Sequence, residues 1–242
     1  MWHDLLHGHR VLVGPPDVLT ARAPEHVGQV PPPVEASRLL LNRGAGLLWA
    51  QCVVAGVTVP PDADFVRRNL HKAGLALGDA LLLASGDYSP RTGDRSKRLA
   101  ALAAVRPELV TPVVRAAYDE AVRFKRRPDE VAGPADPAVA LGNMAHSWGE
   151  VLLALERRRL GGDWPDLGAY CAWDGLREPE ESDPARWARN LAVGTQLGRP
   201  SLRYPRERLY RLLPALLGLT GATVADWPAA TAALLATWRR VN

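Results

Sequence analysis

The sequence predicts an all-α protein, a helical bundle of about seven to nine helices that follows a short N-terminal extended segment. Three observations favour this fold class. From Pro33 onward, apolar residues recur with the spacing of a helix face, and nearly every predicted helix begins near a proline or an aspartate, as helix N-termini prefer. Only one short run, residues 10–13 (RVLV), resembles a strand, and a single strand cannot form a sheet.

The N-terminal segment, residues 1–32, is rich in His, Pro and Gly, and its strand-like run ends at Gly14. Because a strand needs a sheet partner, this segment is interpreted as the tail of a missing domain. Residues 33–242 are predicted to form an α-helical domain. Its most polar connector, residues 178–184 (EPEESDP), is the predicted position of a subdomain break.

The first two helices are predicted over residues 34–56 and 60–86, and the short loop between them predicts an antiparallel hairpin. Gly74 and Gly78 lie four residues apart on the second helix, where each glycine costs about 1 kcal/mol of helix propensity. Their spacing predicts a notch that another backbone can approach closely. The remaining helices are predicted over residues 94–105, 107–125, 137–160, 166–173, 184–197, 205–217 and 225–240.

Composition and charge exclude several classes of protein. Of 242 residues, 47% are hydrophobic and 23% are charged, which excludes a disordered chain, a collagen and a coiled-coil rod. The 30 basic and 26 acidic residues give a net charge of +4, which does not indicate nucleic-acid binding. The basic clusters at residues 126–127 and 157–159 are interpreted as solvated helix ends, so nucleic acid is not expected as a partner.

The cysteines and the apolar runs predict the compartment. Cys52 and Cys171 have no CxxC motif and no histidine at ligand spacing, so the sequence predicts neither a zinc site nor a disulfide. Free thiols are typical of a reducing cytoplasm. The first residues do not resemble a signal peptide, and the most apolar run, residues 73–84, is shorter than the roughly 20 residues of a membrane span. A cytoplasmic protein without a membrane partner is therefore expected.

Familiar catalytic motifs do not occur in the sequence. GxGxxG, GxxxxGKS/T, HExxH and GxSxG are all absent. Three residues separate Arg67 from His71, which is one too few for the Arg–His pair of a helical ribonuclease. The sequence therefore assigns no catalytic residue and no metal ligand.

The second helix carries an unusual polar face. Lys72 and Asp79 lie seven residues apart, nearly two turns, so both project from one face about 10 Å apart along the axis. Charges among leucines need compensation, and Asp79 is predicted to pair with Arg43 first and Arg38 second. Two interpretations stay open: a structural ion pair within the hairpin, or a polar groove that faces a ligand or a partner domain. The candidate binding residues are Arg38, Arg43, Lys72, Asp79, Asp87 and Tyr88.

Four short blocks carry a family resemblance: residues 35–43 (EASRLLLNR), 72–83 (KAGLALGDALLL), 86–88 (GDY) and 204–214 (YPRERLYRLLP). Together they resemble the C-terminal helical region of bacterial nucleotidyltransferase-like proteins of the polymerase-beta superfamily. In that family the helical region follows a small α/β catalytic domain, whose Gly-Ser motif and paired aspartates hold Mg²⁺ and a nucleoside triphosphate. The resemblance therefore implies that residues 1–32 are the remnant of a preceding α/β domain.

This chain contains no Gly-Ser followed by Asp-x-Asp, so the resemblance implies the helical region without the catalytic motif. The expected function is that of a non-catalytic accessory or substrate-binding region, with no cofactor in this chain and a nucleotidyltransferase catalytic domain or another protein as partner. Two explanations stay open, a coding region that starts upstream of Met1 or a truncated remnant. The alternative function is a stand-alone helical protein-interaction module.

Overall fold

The computed structural model describes residues 2–241, except for the side chains of Trp2, His3, Leu5 and His26. These residues form eleven α-helices and no strand, which confirms the predicted all-α fold class. No helix among them is long and apolar enough to cross a membrane. The helices are α1 Trp2–Gly8, α2 Val18–Arg22, α3 Val34–Val54, α4 Phe65–Ser85, α5 Thr92–Val105, α6 Pro112–Arg126, α7 Pro137–Leu160, α8 Leu167–Ala172, α9 Trp187–Gln196, α10 Glu207–Leu216 and α11 Trp227–Val241.

The predicted strand is wrong. Residues 10–13 lie in a loop between α1 and α2, and the side chains of Leu12 and Val13 are 83% and 93% exposed. A strand needs a partner edge for its backbone groups, and the described part of the chain offers none, so water solvates this run instead. The segment predicted to be extended thus contains two short helices.

Helix bounds differ from the prediction mainly at the N-termini. The helix α7 has the predicted bounds, and its cap residue Asp136 accepts hydrogen bonds from the backbone N–H groups of Ala138 and Val139. The helix α4 begins at Phe65 instead of residue 60, because Asp62 accepts the N–H of Asp64 in a turn that precedes the helix. The helix α4 therefore begins several positions after its prolines, whereas α7 begins at its proline, Pro137.

The helices α3 and α4 form the predicted antiparallel hairpin at the centre of the fold. Gly46 of α3 lies against Asn69 near the start of α4, whereas Arg38 and Leu83, at the opposite ends, share one cleft. The helix α4 also packs against α5, α6 and α7, while α10 and α11 pack against α3. The core of the hairpin consists of fully buried leucines, among them Leu40, Leu47, Leu48, Leu77 and Leu82.

The glycine notch on α4 is occupied by α6. A Cβ on Gly74 would lie 2.9 Å from the carbonyl oxygen of Ala117, and a Cβ on Gly78 would overlap the ring of Tyr118. The prediction of a close backbone approach is therefore confirmed. The approach brings the Tyr118 hydroxyl beside Asp79, so the two glycines also shape the polar face of α4.

Two polar contacts hold the C-terminal half to α3. The indole Nε1 of the buried Trp148 on α7 donates to the carbonyl oxygen of Leu40 at 2.7 Å. Glu178, the first residue of the connector where a subdomain break is predicted, is fully buried and accepts hydrogen bonds from Arg38 of α3 and from Tyr210 of α10. Because Trp148 and Glu178 are both buried, these contacts fix α3 against α7 and α10.

Candidate functional site

A cleft of about 750 Å³ opens along the polar faces of α3 and α4, near α5 and the N-terminal helix α1. Five of the six predicted binding residues line it, namely Arg38, Arg43, Lys72, Asp79 and Tyr88. Its cationic side chains outnumber its carboxylates two to one. The cations are Arg38, Arg43, Lys72, Arg95, Lys125 and Arg206, and the carboxylates are Asp4, Glu35 and Asp79.

Asp79 lies at the buried wall of the cleft, and its predicted pairing with Arg43 or Arg38 is wrong. Its Oδ2 accepts a hydrogen bond from Nη1 of Arg95 at 2.7 Å, and its Oδ1 accepts one from the Tyr118 hydroxyl at 3.1 Å. Burial raises the pKa of the Asp79 carboxyl, and the charge of Arg95 opposes this shift. The direct partners of the carboxylate thus come from α5 and α6 and not from α3.

Arg95 is held in place by the turn that precedes α5. Its guanidinium donates to the carbonyl oxygens of Ser89 and Pro90 as well as to Asp79, and it stacks over the ring of Tyr88 at 4.4 Å. Burial raises the pKa of the Tyr88 hydroxyl, with a further contribution from the charge of Asp79. The hydroxyl also donates to Asp4 of α1 at 3.4 Å, so Tyr88 joins the N-terminal helix to this wall.

Asp87, the sixth predicted residue, does not line the cleft. Gly86 ends α4 in the left-handed conformation at φ +77°, and the N–H of Asp87 then donates to the carbonyl of Leu82. The Asp87 carbonyl accepts from Arg98 at 2.9 Å, while its side chain is exposed. The GDY block thus contributes a helix terminus that leads to Tyr88.

Arg38 is a cation that the protein already neutralises. Its Nε and Nη2 donate to Oε2 of Glu178 at 3.1 and 2.7 Å, and its Nη1 donates to Glu35 at 2.7 Å. Burial alone would lower the pKa of the guanidinium, but the hydrogen bonds and charges of Glu178 and Glu35 raise it. Arg206, another cation at the cleft, likewise contacts Glu178 and donates to the carbonyl of Val241 at 2.6 Å.

Unlike Arg38 and Arg206, the cations Arg43 and Lys72 have no carboxylate partner among the described residues. Within residues 2–241, no carboxylate oxygen lies within 4.0 Å of either side chain. Arg43 is half-buried, and burial lowers the pKa of its guanidinium while the charge of Asp79 opposes this shift. Lys72 is exposed at the cleft rim. The cleft therefore holds positive charge, one group from each helix of the hairpin, that the surrounding protein does not neutralise.

The carboxylates of the cleft do not fit a Mg²⁺ ion. Asp79 is bound by Arg95 and Glu35 by Arg38, while Asp4 accepts a hydrogen bond from Tyr88 and lies 3.9 Å from Arg95. None of the three carboxylates is therefore free to act as a metal ligand. In the described part of the chain no group of three or more His, Cys, Asp or Glu side chains is arranged to hold a metal ion. The chemistry that this arrangement favours is the binding of an anion.

Three residues of the site could not be found from local sequence patterns: Arg95, Tyr118 and Lys125. Tyr118 comes closest to being predictable, because the notch at Gly78 requires a neighbouring side chain. The sequence does not specify which residue provides it. Arg206 lies in the block 204–214 that carries the family resemblance. Comparison of the chain with protein-family models, with curated proteins and with solved structures found no match.

Proposed function

We propose that this chain is the non-catalytic, helical substrate-binding region of a nucleotidyltransferase-like protein, and that the cleft between α3 and α4 receives an anionic, phosphate-bearing substrate. The proposal combines the family resemblance of the four sequence blocks with the charge of the cleft. Its volume, about 750 Å³, is in the range of about 300–1,000 Å³ typical of small-molecule sites.

The observation that carries the proposal is the pair of unneutralised cations, Arg43 and Lys72. Arg38, Arg95 and Arg206 are compensated by carboxylates inside the protein, as the pairs Arg38–Glu178 and Arg95–Asp79 illustrate, and Lys125 donates to the Thr92 hydroxyl. Keeping a half-buried guanidinium without a counterion lowers stability, and a bound anion removes that cost. Phosphate oxygens suit both groups, since a guanidinium forms two parallel hydrogen bonds and an ammonium acts as a point charge.

The proposed partner is a nucleotidyltransferase catalytic domain. In the resembling family that domain holds Mg²⁺ and the nucleoside triphosphate, and the carboxylates of this cleft are already bound to arginines. The cleft would then orient the substrate by its anionic group, while the metal-dependent chemistry takes place on residues of the partner.

Metal-free tripolyphosphate, measured by titration calorimetry against the whole chain, tests the proposal. Arg43→Gln and Lys72→Met should each weaken binding at least about tenfold, because each removes a charged hydrogen-bond donor worth about 1.5–3 kcal/mol. Arg158→Gln and Lys97→Met are the matched controls, since both residues are exposed and lie outside the cleft. Equal affinities of all five proteins would overturn the assignment of this cleft.

A stand-alone protein-interaction module is the alternative, and α9 provides the observation that favours it. Trp187 and Leu191 lie one turn apart on α9, and each is 43% exposed. Among the other tryptophans whose side chains the structure describes, Trp148 and Trp164 are buried, and the remaining four are partly buried against the core. A protein partner whose binding requires Trp187 and Leu191, but neither Arg43 nor Lys72, would favour this alternative over substrate binding.

A further inference from the structure

A second cavity, of about 180 Å³, lies where the chain turns from α9 into α10. Four arginines line it, namely Arg199, Arg203, Arg208 and Arg211. Its walls are mainly apolar, formed by Leu197, Pro200, Tyr204 and Pro205. The first cleft contains none of these eight residues, so the two cavities are distinct.

Two glycines fix the turn that carries Arg199. The N–H of Arg199 donates to the carbonyl of Gly194 at 2.8 Å, and a Cβ on Gly194 would lie only 2.8 Å from the carbonyl oxygen of Arg199. Gly198 adopts φ +69°, which a residue with a side chain rarely adopts. The chain therefore folds back tightly onto α9, and this fold places Arg199 on the same cavity as Arg208 of α10.

The four arginines differ in how they are neutralised. Arg203 and Arg211 share Asp174, whose side chain is 84% exposed, at 3.2 and 2.8 Å. Arg199 and Arg208 have no carboxylate oxygen within 4.0 Å in residues 2–241. Burial lowers the pKa of the Arg208 guanidinium, and the nearby positive charge of Arg199 lowers it further. Two like charges thus face one small cavity without a counterion.

The single carboxylate at this cavity is compensated on its buried side. Glu207 accepts the backbone N–H groups of Arg177 and Glu178 at 2.7 and 2.6 Å, and the guanidinium of Arg177 lies 3.7 Å from its second oxygen. Its negative charge is therefore directed to the interior of the domain. The cavity retains the excess positive charge of Arg199 and Arg208.

We propose that this cavity binds the phosphate group of a small phosphate monoester, held by Arg199 and Arg208, with the organic part of the ligand against Pro200, Tyr204 and Pro205. Guanidinium groups match phosphate oxygens in bidentate geometry, and a dianion neutralises both arginines at once. The enclosed volume suits one phosphate with a small apolar group. A polynucleotide requires cations along an extended groove, whereas these guanidiniums surround a single cavity.

The inference does not depend on the function proposed for the first cleft. Arg206 lines that cleft and Arg208 lines the second cavity, and residues two apart on a helix project about 200° from each other. The two sites therefore lie on opposite sides of the start of α10, and either can bind a ligand without the other.

Titration calorimetry of the whole chain with phenyl phosphate tests the inference. The double variant Arg199→Gln/Arg208→Gln should lose at least tenfold in affinity, while the exposed controls Arg158→Gln and Lys97→Met should keep the wild-type value. Phenyl phosphate should bind about tenfold more tightly than inorganic phosphate, which corresponds to burial of about 55 Å² of apolar surface. Circular dichroism confirms that each variant is folded, and exposed Arg199 provides a single variant, Arg199→Gln, that should lose affinity if the double variant unfolds.

Three results would overturn the inference. Wild-type affinity in the folded Arg199→Gln variant would show that the arginines of this cavity do not hold the phosphate. Loss of binding in Arg43→Gln/Lys72→Met alone would place the ligand in the first cleft. Tighter binding of a single-stranded RNA oligomer than of phenyl phosphate, sensitive to Arg199→Gln, would identify a nucleic-acid site instead of a site for a small ligand.

Discussion

Arg95 on α5 donates a hydrogen bond to Asp79 on α4 at 2.7 Å, and the side chains are only 9% and 12% exposed. This pair joins two helices at the buried wall of the cleft, and the Tyr118 hydroxyl completes the set of donors to the carboxylate. A carboxylate among leucines is retained because α5 and α6 both supply donors, and Arg43 of α3 stays available to the cleft.

Substitution of Asp79 or Arg95 should lower the stability of the protein. Asp79→Ala is expected to lower the free energy of unfolding by about 1–4 kcal/mol, because it leaves the buried guanidinium of Arg95 without its counterion. In a double-mutant cycle measured by denaturant unfolding, Asp79→Ala and Arg95→Gln should couple by at least about 0.5 kcal/mol. The cycle of Asp79→Ala with Arg43→Gln is the control, and its two effects should be nearly additive. Coupling between Asp79 and Arg43, together with additive effects of Asp79→Ala and Arg95→Gln, would contradict the observed pairing.

The glycine notch predicts opposite effects of the same substitution at two positions. Gly78→Ala should destabilise the protein by about 1–3 kcal/mol, because the new methyl group must displace the ring of Tyr118. Gly142 is the matched control, since it lies within helix α7 with no atom within 4 Å of a Cβ. Gly142→Ala should stabilise by about 0.5–1 kcal/mol through helix propensity. Thermal or denaturant unfolding measures both, and equal changes would argue against the close approach of α6.

The helices and the polar face could be predicted because both follow from local periodicity. Apolar spacing locates α3, α4 and α7, and the seven-residue separation of Lys72 and Asp79 places both on one cleft. The helix start at Phe65 could not be predicted from the prolines, because a turn separates them from the helix. That turn is recognised only from the hydrogen bond that the N–H of Asp64 donates to Asp62.

The partner of Asp79 could not be predicted from the sequence, because the pairing depends on the tertiary fold. Arg95 reaches the carboxylate because Gly86 ends α4 in a left-handed turn and the following loop returns α5 along it. The sequence spacing of Asp79 and Arg95 does not specify that the loop brings α5 back along α4. Arg43, the predicted partner, does lie near enough to Asp79 for the two charges to interact, but it forms no ion pair with it.

His71 predicts a pH dependence of stability. It is buried and stacked on Phe124 with ring centroids 4.2 Å apart. Burial lowers the pKa of its imidazole, and the charge of Glu120 opposes this shift only in part. The unfolded chain therefore binds this proton more tightly than the folded chain. The stabilising contribution is complete above about pH 6.5 and is lost as the pH falls below that value.

Replacement of His71 should remove this component. His71→Phe keeps an aromatic ring against Phe124, and its unfolding free energy should fall less steeply between pH 6.5 and 5 than that of the wild type. The difference in slope is at most about 1.4 kcal/mol per pH unit, the value for one proton. His146→Gln, at an exposed position on α7, is the control. Identical slopes for the wild type and His71→Phe would show that His71 stays accessible to protons when folded.

The two arginines of α3 should separate stability from ligand binding. Arg38→Gln removes the main cation bound to the fully buried Glu178. Among the described residues Arg206 and Tyr210 remain as side-chain donors to this carboxylate, so a loss of about 1–3 kcal/mol in unfolding free energy is expected. Tripolyphosphate affinity should change less than about threefold, because Arg38 is already neutralised.

Arg43→Gln should instead lower the affinity for tripolyphosphate and leave the stability of the protein nearly unchanged. The guanidinium of Arg43 has no carboxylate partner in the described residues, so stability should change by no more than about 0.5 kcal/mol, while affinity falls at least about tenfold. Denaturant unfolding and calorimetry of the same two preparations give both quantities. If Arg38→Gln lost the greater affinity and Arg43→Gln the greater stability, the division between structural and ligand-binding cations in this cleft would be wrong.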